Sequence, residues 1–381
     1  MPLSRLPVPS ESDFTSSVRG PELATRVGLW LGVCFGIAFL TGVFSHLHQD
    51  QPTWLPLPTR PVWLYQVTQG LHVIAGTAAV PLLLVKLWTV YPKLFARVPW
   101  RDVRELGVHF LERASIAVLV TAAIFQLATG LANSAGWYPW EFSFRSTHFA
   151  VGWIAIGALI LHIAVKMVKI RDALDRPISS GEEPSAGLSR RGLFRTALGA
   201  SAVAVLSMAG STIPWLREVS VFGTHSGDGP GGVPINKTAD QVNVTASATS
   251  PSYTLTLSHG DASMSLTRAE LEQLPQSTAT LPIACVEGWS ASGTWSGVRL
   301  RDLLDLVGVP AGTTARVVSL QESGSFREAE VPGNFADDPL TLVALRLNGE
   351  VLSLDHGYPC RLIAPGRPGV LQTKWLREVT T

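Results

Sequence analysis

Long apolar stretches separated by polar connections fill the first half of the chain, whereas the second half is polar and interrupted by glycine and proline. The length of each apolar stretch is close to the roughly 20 residues that an α-helix needs to cross a bilayer. The stretches run over residues 23–44, 62–88, 115–131, 149–168 and 193–213. We therefore predict an all-α transmembrane bundle of four helices and a fifth helix that anchors the second half.

Basic residues indicate the orientation of these helices, because loops on the cytoplasmic side of a membrane are enriched in lysine and arginine. The connection between the second and third stretches and the region after the fourth are rich in lysine and arginine. The other two connections have only one such residue each, Arg60 and Arg145. We expect a cytoplasmic N-terminus and an external C-terminal domain. The basic residues are Lys86, Lys93, Arg97, Arg101, Arg104, Lys166, Lys169, Arg171 and Arg176.

Arg190 and Arg191 stand directly before the fifth apolar stretch, in the sequence Ser-Arg-Arg-Gly-Leu-Phe. This pattern is typical of a twin-arginine signal, which exports domains that are already folded. The alternative is an ordinary basic flank on a membrane helix. The helices and the polar domain on either side favour export.

The second half predicts a mixed α+β domain that is mostly β. Apolar alternation over residues 253–257, 279–286, 316–320, 340–347 and 351–354 predicts strands, and residues 300–307 predict a short amphipathic helix. Asn348-Gly349 predicts a tight hairpin turn. The predicted divisions are an N-terminal tail (1–22), the four-helix domain (23–172), a cytoplasmic linker (173–192), the fifth helix (193–213), a glycine-rich linker (214–232) and the external domain (233–381).

Composition narrows the possible partners and cofactors. A net charge of +1 argues against nucleic acid as a partner, and the positive mean hydropathy agrees with a membrane location. Of three cysteines, Cys34 lies in a predicted helix as a small apolar residue. Cys285 and Cys360 share the external domain, where a disulfide between them and a metal-binding or nucleophilic Cys285 are both possible.

Histidines within the predicted helices suggest haem, because ionisable residues inside a membrane are uncommon and usually functional. His148 and His162 are 14 residues apart, which places them on nearly the same helix face about 21 Å apart. Depth along the helices favours His46 with His148, and His72 with His162, as ligand pairs. The alternative pair is His72 with His148, which would bind a single outer haem; histidines that only bond helices together are a further alternative.

With Gly70-Leu71-His72 and the two histidines of the fourth helix, residues 20–172 resemble the four-helix membrane b-type cytochromes that serve quinone-linked oxidoreductases. The resemblance implies one or two haem b groups held by His46, His72, His148 and His162. It also implies a quinone or quinol in the membrane as the redox partner.

The external domain has a cysteine at the end of a predicted strand, where binding and catalytic residues are often found. Cys285 is followed by Val-Glu-Gly-Trp-Ser. Basic, glycine-containing segments follow at residues 356–362 and 365–369, and Lys-Trp-Leu at 374–376 comes after them. Such segments suit a cofactor that carries phosphate.

Together with Trp-Ser-Gly-Val-Arg-Leu at 295–300, these motifs resemble the molybdopterin domain of the sulfite oxidase superfamily over residues 233–379. The resemblance implies that the Cys285 thiolate binds molybdenum. The residues that it implies for the pterin and its phosphate are Asn236, Ser319, Ser323, His356, Arg361, Gln372, Thr373 and Lys374.

The acid and the aromatic residue after Cys285 are similar to the bacterial periplasmic methionine-sulfoxide reductase branch of that superfamily. We therefore expect a molybdenum-dependent oxidoreductase in a bacterial cell membrane that reduces a small S-oxide or N-oxide by oxygen-atom transfer. Oxidation of sulfite or another oxyanion is the alternative, and a cofactor-free, membrane-tethered binding domain is another. The superfamily's C-terminal dimerisation domain is not expected, so no obligatory protein partner is inferred.

Overall fold

The computed structural model describes residues 9–96, 99–100, 102–179, 187–223 and 230–381. Arg97, Arg101 and residues 224–229 of the glycine-rich linker therefore lie outside the described residues, as do parts of the predicted N-terminal tail and cytoplasmic linker. The chain forms two compact units, one of Met1–Gly42 with Leu71–Met208 and the other of Val43–Gly70 with Ala209–Thr381. The two units are described separately below.

Among the described residues, five helices are long and apolar enough to span a membrane, which confirms the predicted all-α region. The first, third and fourth helices exceed their apolar stretches because their polar ends are also helical. The third helix, for example, begins at Val103 because the Asp102 side chain accepts bonds from the backbone N–H groups of Arg104 and Glu105. The helices are α1 Pro21–Gln49, α2 Leu64–Val90, α3 Val103–Ser134, α4 Phe144–Leu174 and α5 Arg190–Ala209.

The C-terminal domain is rich in β-structure, as the sequence predicts, and it contains two five-stranded sheets within residues 230–381. The first sheet has the order β2-β1-β10-β5-β6, in which β1 and β10 are parallel. The second has the order β3-β4-β7-β8, and β9 also pairs with β7. The strands are β1 Thr254–His259, β2 Ala262–Thr267, β3 Ser277–Ala284, β4 Ser290–Arg299, β5 Ala315–Ser319, β6 Glu328–Val331, β7 Leu342–Leu347, β8 Glu350–Val351, β9 Arg361–Ile363 and β10 Leu376–Thr380.

Short helices precede or connect these strands, and each contains buried apolar residues. The predicted amphipathic helix is present and buries Leu300, Leu303 and Leu304. The predicted hairpin turn is also confirmed, since Asn348 and Gly349 have φ angles of 52° and 85° between β7 and β8. The short helices are α6 Thr245–Ala248, α7 Arg268–Gln273, α8 Leu300–Asp305 and α9 Gly333–Ala336.

The segment Val43–Gly70, which joins α1 to α2, belongs to the same compact unit as the β-rich domain. The sequence pattern instead places this segment within the four-helix domain, because it flanks two apolar stretches. Arg60 donates two hydrogen bonds to Asp338, at 2.8 and 3.0 Å, and Asn334 donates one to the carbonyl of Leu57. These hydrogen bonds hold the α1–α2 connection against the β-rich domain.

Candidate active site

Cys285 lies directly after β3, in a cleft of the β-rich domain that encloses about 320 Å³ of space, part of it open to solvent. Strand β3, the loop after Cys285 and two later segments form the walls. The described residues that line it are Val233, Pro234, Ile235, Asn236, Ile283, Cys285, Trp289, Asp355, His356, Arg361, Gly369 and Lys374. The structure therefore brings together five residues that the sequence predicts for the site: Asn236, Cys285, His356, Arg361 and Lys374.

The thiol of Cys285 is buried and faces an acid of its own loop. Its Sγ lies 3.6 Å from Oε2 of Glu287, which also accepts a hydrogen bond from the Trp289 indole at 3.0 Å. Burial raises the pKa of the Cys285 thiol well above its ordinary value, and the Glu287 carboxylate raises it further. The protein alone therefore keeps Cys285 protonated, whereas a metal ion that coordinates the sulfur removes the proton.

Cys360 is a buried thiol in the core, and it forms no disulfide with Cys285. Its Sγ lies 3.1 Å from the hydroxyl of Tyr253, and burial raises its pKa to about 12. The sequence allows either a Cys285–Cys360 disulfide or a metal-binding or nucleophilic Cys285, and the structure excludes the disulfide.

Arg361 and Lys374 place two positive charges in the cleft, and neither forms an ion pair with a carboxylate of the described chain. Arg361 donates to the carbonyls of His356 and Gln372, both at 3.0 Å, while its buried Nε has no partner. Lys374 donates to the carbonyls of Lys237 and Asp355, at 2.6 and 2.9 Å. Burial lowers the pKa of Arg361 to about 9 and that of Lys374 to about 7, and the charge of Arg361 contributes to the second shift.

His356 uses both of its ring nitrogens within the protein. Nε2 donates to the carbonyl of Val233 at 2.9 Å, and Nδ1 lies 3.0 Å from the Ser353 hydroxyl. Burial lowers the pKa of His356 to about 4, so the ring is neutral. His356 therefore holds the segment that contains Val233, which forms the opposite wall of the cleft.

The other four residues predicted for the pterin lie behind or away from the cleft. The hydroxyl of Ser319 donates to the carbonyl of Lys374 at 2.8 Å, so Ser319 supports Lys374 and does not face the cleft. The Gln372 amide bonds within its own loop, and Ser323 is exposed in the turn before β6. Thr373 is buried, and its hydroxyl has no hydrogen-bond partner.

Sequence reasoning missed several residues of the cleft wall, mainly Trp289, Asp355 and Gly369. Trp289 and Gly369 lie inside motifs that the sequence analysis used and Asp355 directly precedes one, so proximity to those motifs was the available signal. At Gly369 a Cβ atom would lie 3.0 Å from the carbonyl oxygen of Ala284, so the glycine lets its loop approach the strand that leads to Cys285.

These residues fit a molybdopterin cofactor. A soft-metal ligand is available in the Cys285 sulfur. Arg361 is a buried cation that donates only to carbonyls and whose Nε has no partner, and Lys374 lines the same cleft. An anion bound there would favour the charged form of both side chains, because a desolvated charge without a counter-charge is unfavourable. The phosphate of a pterin cofactor would supply that anion through charge-assisted hydrogen bonds.

In the helical unit, the rings of His72 and His148 lie face to edge, with 6.3 Å between their centroids. His162 lies one turn before Lys166, which pairs with Glu112 of α3. In the other unit, His46 lies 3.8 Å from Asp50. The approach of His72 to His148 corresponds to the alternative pairing from the sequence, and it depends on the rotation of α2 and α4, which depth alone does not determine. The pairs of His46 with His148 and of His72 with His162 stay predictions.

Residues 241–381 match the family model described as "Oxidoreductase molybdopterin binding domain". A segment is 34% identical over 110 residues to the sulfite oxidase of Arabidopsis thaliana, covering 24% of this chain and 28% of that protein. The chain is also 33% identical over 110 residues to the "Putative protein-methionine-sulfoxide reductase subunit YedZ1" of Azospira oryzae, covering 29% of this chain and 41% of that protein. A chain of the sulfane dehydrogenase SoxCD from Paracoccus pantotrophus matches with 27% identity and a TM-score of 0.31, over 34% of this chain and 37% of that one.

The chain spans less than half the length of each of these relatives. The family match nevertheless confirms the predicted class for the C-terminal region, which is a molybdopterin-binding oxidoreductase domain similar to that of the sulfite oxidases.

Proposed function

We propose that this protein is a membrane-bound molybdenum oxidoreductase that reduces a small, neutral S-oxide or N-oxide with electrons from the quinol pool. The observation that carries the proposal is the cleft itself, in which the Cys285 sulfur and the basic side chains of Arg361 and Lys374 line the same space. The molybdenum centre, when bound, supplies oxygen-atom transfer; the protein supplies binding, orientation and access.

The residues beside Cys285 support a neutral substrate. Glu287 and Trp289 provide a carboxyl group and an indole, and the loop of residues 286–290 contains no cation. A small oxyanion such as sulfite needs positive groups next to the metal, and a carboxylate there would repel it. The cations of the cleft are instead suited to the phosphate of the cofactor. A neutral S-oxide needs no counter-charge.

The helical unit supports a haem between His72 and His148. These two residues would hold the haem iron, since their rings lie beside each other with 6.3 Å between the centroids. Glycines adjoin both rings, since a Cβ at Gly42 would lie 3.1 Å from His72 and one at Gly130 would lie 3.7 Å from His148.

The hydrogen bonds of these two histidines also suit iron binding. Nδ1 of His72 donates to the carbonyl of Ala38 at 2.8 Å. The Thr129 hydroxyl donates to the carbonyl of Phe125, so it accepts from Nδ1 of His148 at 3.0 Å. Both rings therefore carry their proton on Nδ1, which leaves the Nε2 lone pairs available for a metal.

The proposed reaction is balanced by quinol. Reduction of an S-oxide consumes two electrons and two protons and releases the sulfide and water, and oxidation of a quinol to a quinone supplies both. A haem in the helical unit would carry these electrons one at a time.

The test is the cofactor content and substrate range of the purified full chain. We expect molybdenum in stoichiometric amount, a b-type haem spectrum, and reduction of methionine sulfoxide or an amine N-oxide by a reduced dye. Haem reduction by sulfite, with no S-oxide turnover, would instead favour the sulfite-oxidising alternative, which the identity to a sulfite oxidase supports. Full-length protein without metal or haem would favour a binding domain.

A further inference from the structure

The loop after Cys285, here called the cysteine loop (residues 286–290), is held from outside the region that matches the molybdopterin family model. Within the loop, the backbone N–H of Cys285 bonds to the carbonyl of Trp289 and that of Gly288 to the carbonyl of Cys285. These bonds make the position of Cys285 depend on the conformation of the loop. Val286, Gly288 and Ser290 of the loop also bond to two segments that lie far away in the sequence but in the same compact unit, one around Gln69 and one around Thr212.

The first segment is the beginning of α2. The Gln69 amide donates to the carbonyl of Val286 at 3.4 Å, and Gln66 donates to the hydroxyl of Ser290 at 3.0 Å. Gln69 is buried, and the hydroxyl of Ser45 fixes its orientation by donating to its Oε1 at 3.2 Å. The NH₂ group of Gln69 is thereby directed to the loop.

Ser45 is itself held by a buried polar network of α1 and α2. It accepts from the hydroxyl of Tyr65 and from the amide of Gln49, both at 2.9 Å. Ser45 has one hydroxyl proton, which it donates to Gln69, so Tyr65 and Gln49 must be the donors in their bonds to Ser45. The donor and acceptor of each of these bonds are thereby fixed. Satisfied networks of this kind favour a single conformation of the groups they contain.

The second segment follows α5. The Thr212 hydroxyl donates to the carbonyl of Gly288 at 2.7 Å. Ser290 bonds to the same segment twice, from its backbone N–H to the carbonyl of Ser211 and from its hydroxyl to the carbonyl of Thr212. Gly288 has a φ of 92°, so the bond to its carbonyl stabilises a backbone conformation that glycine alone adopts easily.

Gly70 shows how closely the two segments approach each other. A Cβ atom at this position would lie 2.4 Å from Cγ2 of Thr212, which is closer than atoms can pack. Threonine is β-branched and stiff about χ1, so Thr212 could avoid such an atom only by turning its hydroxyl as well. A side chain at Gly70 would therefore break the bond between Thr212 and Gly288.

We infer that Gln69 and Thr212, assisted by Gln66, are positioning residues that set the direction of the Cys285 sulfur through the cysteine loop. This inference rests on the proposed function, in which that sulfur binds molybdenum. All three residues lie outside the 241–381 region, so the molybdopterin domain is completed by the ends of its membrane helices.

The experiment compares Thr212→Val, which removes the hydroxyl at nearly constant volume, with Thr212→Ser, which keeps it, in the full chain. Gln69→Leu and Gly70→Ala test the other contacts. Asn334→Ala is the matched control, because it removes a bond to the carbonyl of Leu57 in the same unit without touching the loop. Molybdenum content, the electron paramagnetic resonance spectrum of Mo(V), hydrogen exchange of the loop amides and the haem spectrum are measured, the last because Gln69 precedes His72 by three residues in α2.

We expect Thr212→Val, Gln69→Leu and Gly70→Ala to keep their molybdenum but to change the Mo(V) spectrum, to accelerate exchange of the loop amides and to lower kcat about tenfold. Thr212→Ser and Asn334→Ala should resemble the wild type. An unchanged Mo(V) spectrum and unchanged loop exchange in Thr212→Val and Gln69→Leu would overturn the positioning role. Failure of the proposed function is a different result, namely wild-type protein without molybdenum, and loop exchange still tests the contacts in that case.

Discussion

At the scale of single residues, Cys285 and Cys360 are two buried thiols of one domain with opposite surroundings. Cys285 opens into a cleft with two unpaired cations, whereas Cys360 lies among apolar side chains and the Tyr253 hydroxyl. Both have raised pKa values, so thiol acidity does not distinguish them. The two cysteines differ in that Cys285 lines the cleft and Cys360 does not.

We predict that Cys285→Ser abolishes turnover and the sulfur-dependent features of the Mo(V) spectrum while the domain stays folded. Serine offers a hard oxygen in place of a soft thiolate, so the metal loses its ligand. Activity, molybdenum content and circular dichroism check this prediction. Cys360→Ser is the matched control, since it buries a hydroxyl at a cost of about 1–3 kcal/mol but leaves the cleft lining intact. Equal loss of activity in both variants with equal loss of fold would contradict the assignment.

At the scale of elements, the helices were the most predictable part and the pairing of their histidines the least. An apolar stretch of about 20 residues determines that a helix can cross a membrane, but it leaves the rotation of that helix undetermined. Depth therefore suggested His72 with His162, whereas the rotation of α2 and α4 brings His72 to His148.

For the strands too, the local sequence pattern predicts some elements but not their long-range contacts. The apolar patterns of their sequences predicted β1, β3, β5 and β7. Strand β4 was not predicted because glycine and serine interrupt its sequence, although Trp295 and Val298 within it are fully buried. Contacts such as that of Gln69 with Val286 join residues 217 positions apart, and no local pattern signals them.

For the helices we predict that His72→Ala and His148→Ala each remove the haem, because each deletes one of two facing imidazoles. His46→Ala and His162→Ala should keep it. The absorbance of reduced haem per protein molecule measures this in purified membranes, with insertion checked by immunoblot. Loss of haem in His162→Ala but not in His148→Ala would restore the pairing that depth alone suggests.

At the scale of the whole molecule, the twin arginine has a structural role that complicates its test as an export signal. Arg190 donates to the carbonyl of Ser17 at 2.9 and 2.7 Å and lies 3.9 Å from the buried carboxylate of Glu22. Arg191 is exposed. Replacement of both arginines would therefore disturb the helical unit as well as any signal.

We predict that Arg191→Lys alone reduces export of the C-terminal domain, because a twin-arginine signal needs both guanidinium groups whereas an ordinary basic flank needs only charge. Protease accessibility from each side of the membrane reports the location of the domain. Glu22→Gln weakens the Arg190 contact without changing the motif, and its domain should be exported normally. Normal export in Arg191→Lys, or in the double-lysine variant, would make the pair an ordinary basic flank.

The bond between Arg60 and Asp338, together with those of Gln66 and Gln69, has a consequence for maturation under the proposed topology. A domain exported in its folded form binds its cofactor in the cytoplasm, at a time when residues 43–70 already belong to inserted helices. The hydrogen bonds from Gln69 to Val286 and from Arg60 to Asp338 have then still to form. The loaded precursor would be latent, and arrival beside its own membrane helices would be the last step that activates it.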